Sequence, residues 1–352
     1  MQVAQPGGTE VRSVLFSRVG RSGLTVSKLC LGTMYFGATT QEPEAGRIMA
    51  AALDAGIIFW DTSNAYNAGR SEEVIGKALS APNARTRVVL ASKVFYPMGE
   101  GPNDRGAGRR HILLELDAQL KRLRTEWIDL YYLHRPDFET PLEETVETLD
   151  ACVRAGKIRY WGTSTFPSWL MAEAWWRSVG GGRARPICDQ APYNLLDRRL
   201  ESERLSFLRE YRWGLVGWSP LAGGLLTGKY NVNAIDAPPA GTRLAELQRW
   251  FRGRVGMPGL SKARALADLA RRAGLEPVHL AIAWLLHQKP LTAAVIGPRT
   301  VEQLSAYVAA VGVTLDETLL TEVDRIVPPG SAFADFHNTS EWFVGPLTAS
   351  GV

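Results

Sequence analysis

The chain has 352 residues, 45% of them hydrophobic and 22% charged, with a formal net charge of +4. That is the composition of an ordinary globular chain with length for a large core, and its modest, dispersed positive charge leaves no nucleic-acid footprint. Cys30, Cys152 and Cys188 sit in apolar surroundings without a CxxC, which excludes a disulfide framework. The first thirteen residues lack the apolar core of a signal peptide, and no apolar run approaches the roughly 18 residues of a membrane span, so a cytosolic protein is expected.

In chain order the pattern is strand then helix, repeated. Residues 14–19 and 24–29 flank Gly20-Arg21-Ser22-Gly23 and read as a β-hairpin. Strands are then expected over 28–31, 57–60, 88–93, 130–133, 157–163, 187–190, 215–219 and 293–296. Helices are expected between them, over 42–55, 71–81, 109–123, 141–155 (with Thr140 as N-cap), 167–178 and 200–211. A long Gly- and Pro-rich connection runs from 220 to about 260, helices follow over 261–273 and 277–288, and the last helix is expected over 301–311. Eight such units predict a parallel sheet closed into a (β/α)8 TIM barrel of the α/β class, with an N-terminal hairpin and extra helices. One barrel domain over 14–327 is expected, between an N-terminal tail (1–13) and a C-terminal tail (328–352). The C-terminal tail carries Phe333, Phe336, Trp342 and Phe343. It is too aromatic for solvated coil, and burial over the substrate mouth, in an oligomer contact or on the outer helices is expected.

Three successive predicted strands lead into ionisable residues: Asp61 with Tyr66, then Lys93, then His134. In such a barrel the C-terminal strand ends open onto one face, where active sites are built. A phenol with an ordinary pKa near ~10 can become a proton donor beside an ammonium. Tyr66 is therefore the candidate acid, Lys93 the charge beside it, Asp61 the partner that holds Lys93, and His134 a hydrogen-bond donor for a carbonyl oxygen. The five histidines show no HExxH and no metal-ligand spacing, so no metal site is expected. There is no GxGxxG in the right context and no GxSxG elbow.

These segments resemble the aldo-keto reductases. The resemblance is carried by Asp61-Thr62-Ser63-Asn64-Ala65-Tyr66, Ala91-Ser92-Lys93, Leu133-His134-Arg135-Pro136, Tyr160-Trp161-Gly162-Thr163-Ser164, the run from Trp218 to Lys229, and Ile296-Gly297-Pro298-Arg299-Thr300 with Gln303. It extends from about Leu15 to Val327 and is most like the branch of the potassium-channel β subunits and their bacterial relatives. It implies a barrel that uses NADPH/NADP+ to reduce aldehydes and ketones. It further implies a cofactor site of Thr33, Met34, Asp61, Ser164, Gln190, Trp218, Ser219, Pro220, Leu221, Gly223, Lys229, Arg243, Gly297, Arg299, Gln303 and Tyr307. In that set Trp218 stacks on the nicotinamide, Ser164 and Gln190 hold its carboxamide, and Arg299 meets the 2′-phosphate at a helix N-terminus. The substrate would meet Tyr35, Tyr66, Tyr96 and His134, with Phe36, Pro97, Met98 and Phe166 as further wall.

Two departures from the family pattern matter. Thr165 replaces a usual asparagine, and Ala306-Tyr307 replaces a usual Glu-Asn beside the adenine, where Tyr307 could stack. Thr300 and Gln303 also read as a capping box. The leading function is an NADPH-dependent carbonyl reductase acting on a small-molecule carbonyl substrate, with neither nucleic-acid nor membrane partner. The alternatives are a reductase of keto- or enoyl-(nucleotide-)sugars and an NADP-binding redox-sensing subunit.

Overall fold

The computed structural model describes residues 15–230, 238–240, 242–246 and 248–334. It opens with an antiparallel hairpin, β1 (Phe16–Arg18) and β2 (Thr25–Ser27), followed by β3 (Leu29–Gly32) and α1 (Glu42–Asp54). Next come β4 (Phe59–Asp61), α2 (Arg70–Leu79), β5 (Val89–Val94), α3 (Arg109–Leu123), β6 (Ile128–Leu133) and α4 (Leu142–Arg154). The barrel continues with β7 (Ile158–Ser164), α5 (Ser168–Gly180), β8 (Cys188–Pro192), α6 (Arg204–Glu210) and β9 (Gly214–Trp218). Helices α7 (Arg243–Glu246), α8 (Gln248–Arg272) and α9 (Pro277–His287) precede β10 (Leu291–Ile296), and α10 (Val301–Ala309) and α11 (Glu317–Ile326) complete the described chain. Among the described residues β3 to β10 pair in parallel and close into one barrel, with β10 bonded to both β9 and β3. The expected (β/α)8 barrel is the fold.

Side chains alternate across a strand, and that alternation builds two cores. Cys30, Phe59, Ala91, Leu130, Tyr132, Cys188, Val216 and Ala293 form one apolar cluster, joined by Val19 and Val26 of the hairpin. The barrel interior is thus filled, with the hairpin contributing to that cluster. The outward residues, among them Trp60, Leu90, Tyr131 and Trp161, pack with the helices into a second, larger core. Two residues beyond four of these inner apolar positions stands a polar one: Asp61 after Phe59, Lys93 after Ala91, His134 after Tyr132, Gln190 after Cys188. One inner face is therefore apolar towards the strand starts and reactive towards the strand ends.

The outer side of β5 is fixed by a buried polar network. Glu72 of α2 accepts from Ser92 Oγ (2.6 Å), Gln119 Nε2 (2.8 Å) and Arg122 Nε (2.7 Å), and Gln119 Oε1 accepts from Tyr131 Oη (2.6 Å). Gln119 also donates to the Lys93 carbonyl at 3.1 Å. The two helices meet where Gly76 leaves no side chain: a Cβ there would lie 2.1 Å from the Arg122 carbonyl oxygen.

The structure corrects several local expectations. Thr140 does not cap α4, whose N-cap is Pro141 without a side-chain bond. Asp137 organises that turn instead, accepting from Thr140 Oγ1 (2.8 Å) and from the Ala107 N–H (2.7 Å). The helix expected over 200–211 divides into a 3-10 turn, Arg199–Ser202, and α6. Helix α8 begins at Gln248, inside the stretch read as loop, and kinks at Gly256. Helix α11 was not foreseen; Asp316 caps it by accepting from the Leu319 N–H, the ordinary role of Asp at such a position.

Of the tail aromatics, Phe333 packs against the outer core, with its N–H on the Leu196 carbonyl at 2.8 Å and Lys262 Nζ 5.2 Å from its ring. Phe336, Trp342 and Phe343 lie outside the described residues. No described helix is long and apolar enough to cross a membrane.

Candidate active site

The strand ends surround a cavity of about 670 Å³. Beneath its floor Lys93 is fully buried. An ammonium has three N–H donors, and Lys93 Nζ has three acceptors: Asp61 Oδ2, the Thr62 carbonyl at 2.8 Å, and Tyr66 Oη at 3.1 Å. Asp61 Oδ1 accepts from Gln190 Nε2 at 2.7 Å. Both carboxylate oxygens are thus engaged, as a buried charge requires.

Because Lys93 donates to the Tyr66 oxygen, the phenol proton is not spent on that contact. Burial pushes the Tyr66 pKa up, Lys93 pulls it down, and the net shift is upward. This corrects the expectation that Lys93 makes Tyr66 unusually acidic in the resting protein. Tyr66 holds its proton at neutral pH, with an ammonium in place to stabilise the phenolate once that proton leaves. For Lys93 burial works against the charge, but Asp61 and Tyr66 outweigh it and its pKa is raised.

His134 is buried, its ring edge-on to Tyr96 (centroids 4.8 Å apart) and to Tyr66 (5.9 Å). Burial, with Lys93 and Arg135, holds it well below the usual histidine value, so it is neutral. Its Nδ1 lies 3.1 Å from Ser63 Oγ. A neutral imidazole has one N–H, and when Ser63 donates to Nδ1 that N–H is on Nε2. In the sequence only the place of Ser63, two residues after Asp61, marks it.

Every expected cofactor residue lines this cavity except Arg243, whose side chain lies outside the described residues. Tyr35, Tyr66, Tyr96 and His134 line it too, as do Arg135, Gly224 and Thr227 of the motifs quoted above, and Val278. The expected wall residues Phe36 and Phe166 do not: both are packed into the outer core. Pro97 and Met98 are also absent from the lining.

The arrangement fits a dinucleotide. Trp218, half-buried at the end of β9, forms a flat wall. The segment after it carries positive φ at Ser219 (58°), Ala222 (48°), Gly223 (63°) and Gly224 (98°). Non-glycine residues in that region cost of order 1–3 kcal/mol each and cluster at ligand clamps. Two glycines among them let backbone approach a pyrophosphate closely. At the other end Arg299 precedes α10, its guanidinium 4.4 Å from the Tyr35 ring. Thr300 Oγ1 accepts from the Gln303 N–H, while Gln303 Oε1 accepts from the Arg299 N–H (2.8 Å), so the capping box is displaced by one residue. Burial pushes Tyr307 up to about 12. Ser164 and Gln190 line the cavity with donors engaged inside the protein, Ser164 Oγ on the Gln190 carbonyl (2.9 Å) and Gln190 Nε2 on Asp61.

The closed barrel thus brings Asp61, Lys93, Tyr66 and His134 together at its strand ends. The chain belongs to the aldo/keto reductase family, whose model matches residues 28–328. It is 41% identical over 325 residues to the uncharacterized oxidoreductase YrpG of Bacillus subtilis (strain 168), covering 90% of this chain and 97% of that protein. It is 37% identical over 319 residues to a probable voltage-gated potassium channel subunit beta of Oryza sativa subsp. japonica (89% and 96% covered) and 34% identical to one of Arabidopsis thaliana over the same length. It is an oxidoreductase of a family that generally uses a nicotinamide cofactor.

Thr165, at φ 60° and fully buried, follows β7 directly. A β-branched residue there is strained, and asparagine tolerates that conformation better. Thr165→Asn should therefore raise stability by about 1 kcal/mol, seen as a higher denaturant midpoint at unchanged m-value. A lower midpoint would show that the Thr165 side chain contributes more than its backbone costs.

Proposed function

We propose that the protein is an NADPH-dependent reductase of aldehydes and ketones with Tyr66 as the general acid. The observation that carries this reading is the Lys93 ammonium with donors on both Asp61 and Tyr66, directly under the cavity. The reduced nicotinamide, when bound, supplies the hydride. The residues of this chain supply the rest. Tyr66 gives its proton to the carbonyl oxygen, and Lys93, held by Asp61, stabilises the phenolate that remains. Neutral His134, oriented by Ser63, donates to the same oxygen and places it against Tyr66. Charge thus develops beside donors already in position, the arrangement that contributes most to lowering barriers of this kind.

Trp218 would back the nicotinamide, the Ser219–Gly224 backbone would hold the pyrophosphate, and Arg299 would meet the 2′-phosphate. An arginine suits a phosphate monoester because its fork of donors can bind two oxygens at once. The plant relatives named as channel β subunits favour a second reading, an NADP-binding regulatory subunit. The complete proton-delivery group favours turnover.

Tyr66→Phe removes the proton and keeps the ring. Turnover of a panel of aldehydes and ketones should fall roughly 10²–10⁴-fold, with NADPH binding, followed by tryptophan fluorescence, nearly intact. A mutant kcat equal to that of the parent would remove Tyr66 from the chemistry; a parent that binds NADPH yet reduces nothing in a broad panel would favour the regulatory reading.

Arg299→Ala should raise the Kd for NADPH at least roughly tenfold, about 1.4 kcal/mol, and leave that for NADH nearly unchanged. Equal losses for both cofactors would mean that Arg299 serves only the start of α10.

A further inference from the structure

Arg135 follows His134 at the end of β6 and lines the same cavity. The other cations of the lining, Lys229 and Arg299, stand on the segments after β9 and β10, where the cofactor phosphates are placed above. The acidic lining residue, Asp61, is almost wholly buried and engaged by Lys93 and Gln190. The end of the cavity where a carbonyl would meet Tyr66 and His134 therefore carries a positive charge of its own.

That charge is held in place. Arg135 Nη1 donates to the His134 carbonyl at 2.6 Å. The guanidinium carbon lies 5.5 Å from the centre of the Tyr96 ring, whose face or edge is shared with His134. An arginine already fixed loses little freedom when it takes up an anion, and its planar fork matches a carboxylate. Burial lowers the Arg135 pKa, and Tyr96, Tyr66 and Asp189 return only part of what burial removes. Asp189 is itself drawn towards Arg204 (3.5 Å) and Thr163 (2.7 Å), and burial pushes its pKa up to about 6.

We propose that Arg135 is a substrate-binding residue that selects carbonyl compounds bearing a carboxylate, the oxo acids. This rests on the reductase reading and adds the substrate class to it. The carbonyl oxygen sits at Tyr66 and His134 while the carboxylate sits at Arg135, and the Tyr96 ring, beside both His134 and Arg135, suits a flat spacer between the two. The reduction itself is unchanged: hydride to the carbonyl carbon, proton from Tyr66 to its oxygen, and no new bond at the carboxylate.

The test compares 4-formylbenzoate with its methyl ester, which keeps the carbonyl and the ring and removes the charge. Wild type, Arg135→Lys and Arg135→Met are assayed for kcat/KM on both, and benzoate binding to each protein loaded with NADP+ is measured by calorimetry. Wild type should prefer the carboxylate, and in Arg135→Met the ratio of the two kcat/KM values should fall by roughly 10- to 100-fold, the worth of a hydrogen-bonded charge. Benzoate affinity should fall with it, and Arg135→Lys should keep part of both. A wild type that prefers the ester, or a ratio and a benzoate affinity that do not change in Arg135→Met, would overturn the proposal. If neither aldehyde consumes NADPH, the reductase reading fails, and the benzoate titration still decides whether Arg135 recognises a carboxylate.

Discussion

The site depends on one buried ion pair. Lys93 and Asp61 lie under the cavity, shielded from water, on adjacent strands. Removing two charges from water is expensive, and such a pair is weak evidence for stability; removing one member typically costs about 3–5 kcal/mol because the other is left uncompensated. A chain keeps such an arrangement where the charge has work to do. Here the third donor of the ammonium points at Tyr66, so the pair delivers a positive charge to a phenol oxygen at fixed distance. The barrel supplies the conditions: alternation along β4 and β5 turns Asp61 and Lys93 inward, and the Glu72–Ser92–Gln119 network anchors β5 from outside. The apolar lower barrel excludes water from beneath.

Around this pair, part of the chain's positive-φ backbone lies just beyond the strand ends. Thr165 and Ser219 each follow a strand end directly, and Ala222 stands three residues beyond Ser219; all three have positive φ. Strain of this kind persists only when the surrounding structure over-determines it, and the packed strand ends do so. The rigid barrel and the strained segments together make a site largely formed before anything binds, which lowers the cost of ordering on binding.

Much of this was legible from residues alone. Apolar runs ending in Asp61, Lys93 and His134 report both strand and site, since period-two alternation requires the inward residue at a strand end to face the same space. Asp61, Tyr66, His134 and all but one of the expected cofactor residues line one cavity, with Lys93 buried beneath it. Helix α11 and the start of α8 were obscured by Gly and Pro nearby, and Thr140 was misread because Asp137, not a helix end, claims its hydroxyl. Phe36 and Phe166 looked like pocket walls because they neighbour strand ends, but their backbone turns them into the outer core. The pKa of Tyr66 depends on burial and so could not be read from the presence of Lys93. Ser63 and Arg135 each sit within two residues of a tetrad member, and only the fold shows that one touches His134 and the other lines the cavity.

The central claim is that Tyr66, and not His134, delivers the proton. A general acid acts only while protonated, so activity is lost as pH rises through its pKa. Burial places Tyr66 above its ordinary value and His134 well below its own. The most direct measurement is kcat/KM for carbonyl reduction as a function of pH. The account predicts a flat profile across neutral pH and a single alkaline decline at or above about 10, the ordinary tyrosine value. A decline at or below about 6.5, the ordinary histidine value, would assign the proton to His134 and contradict it.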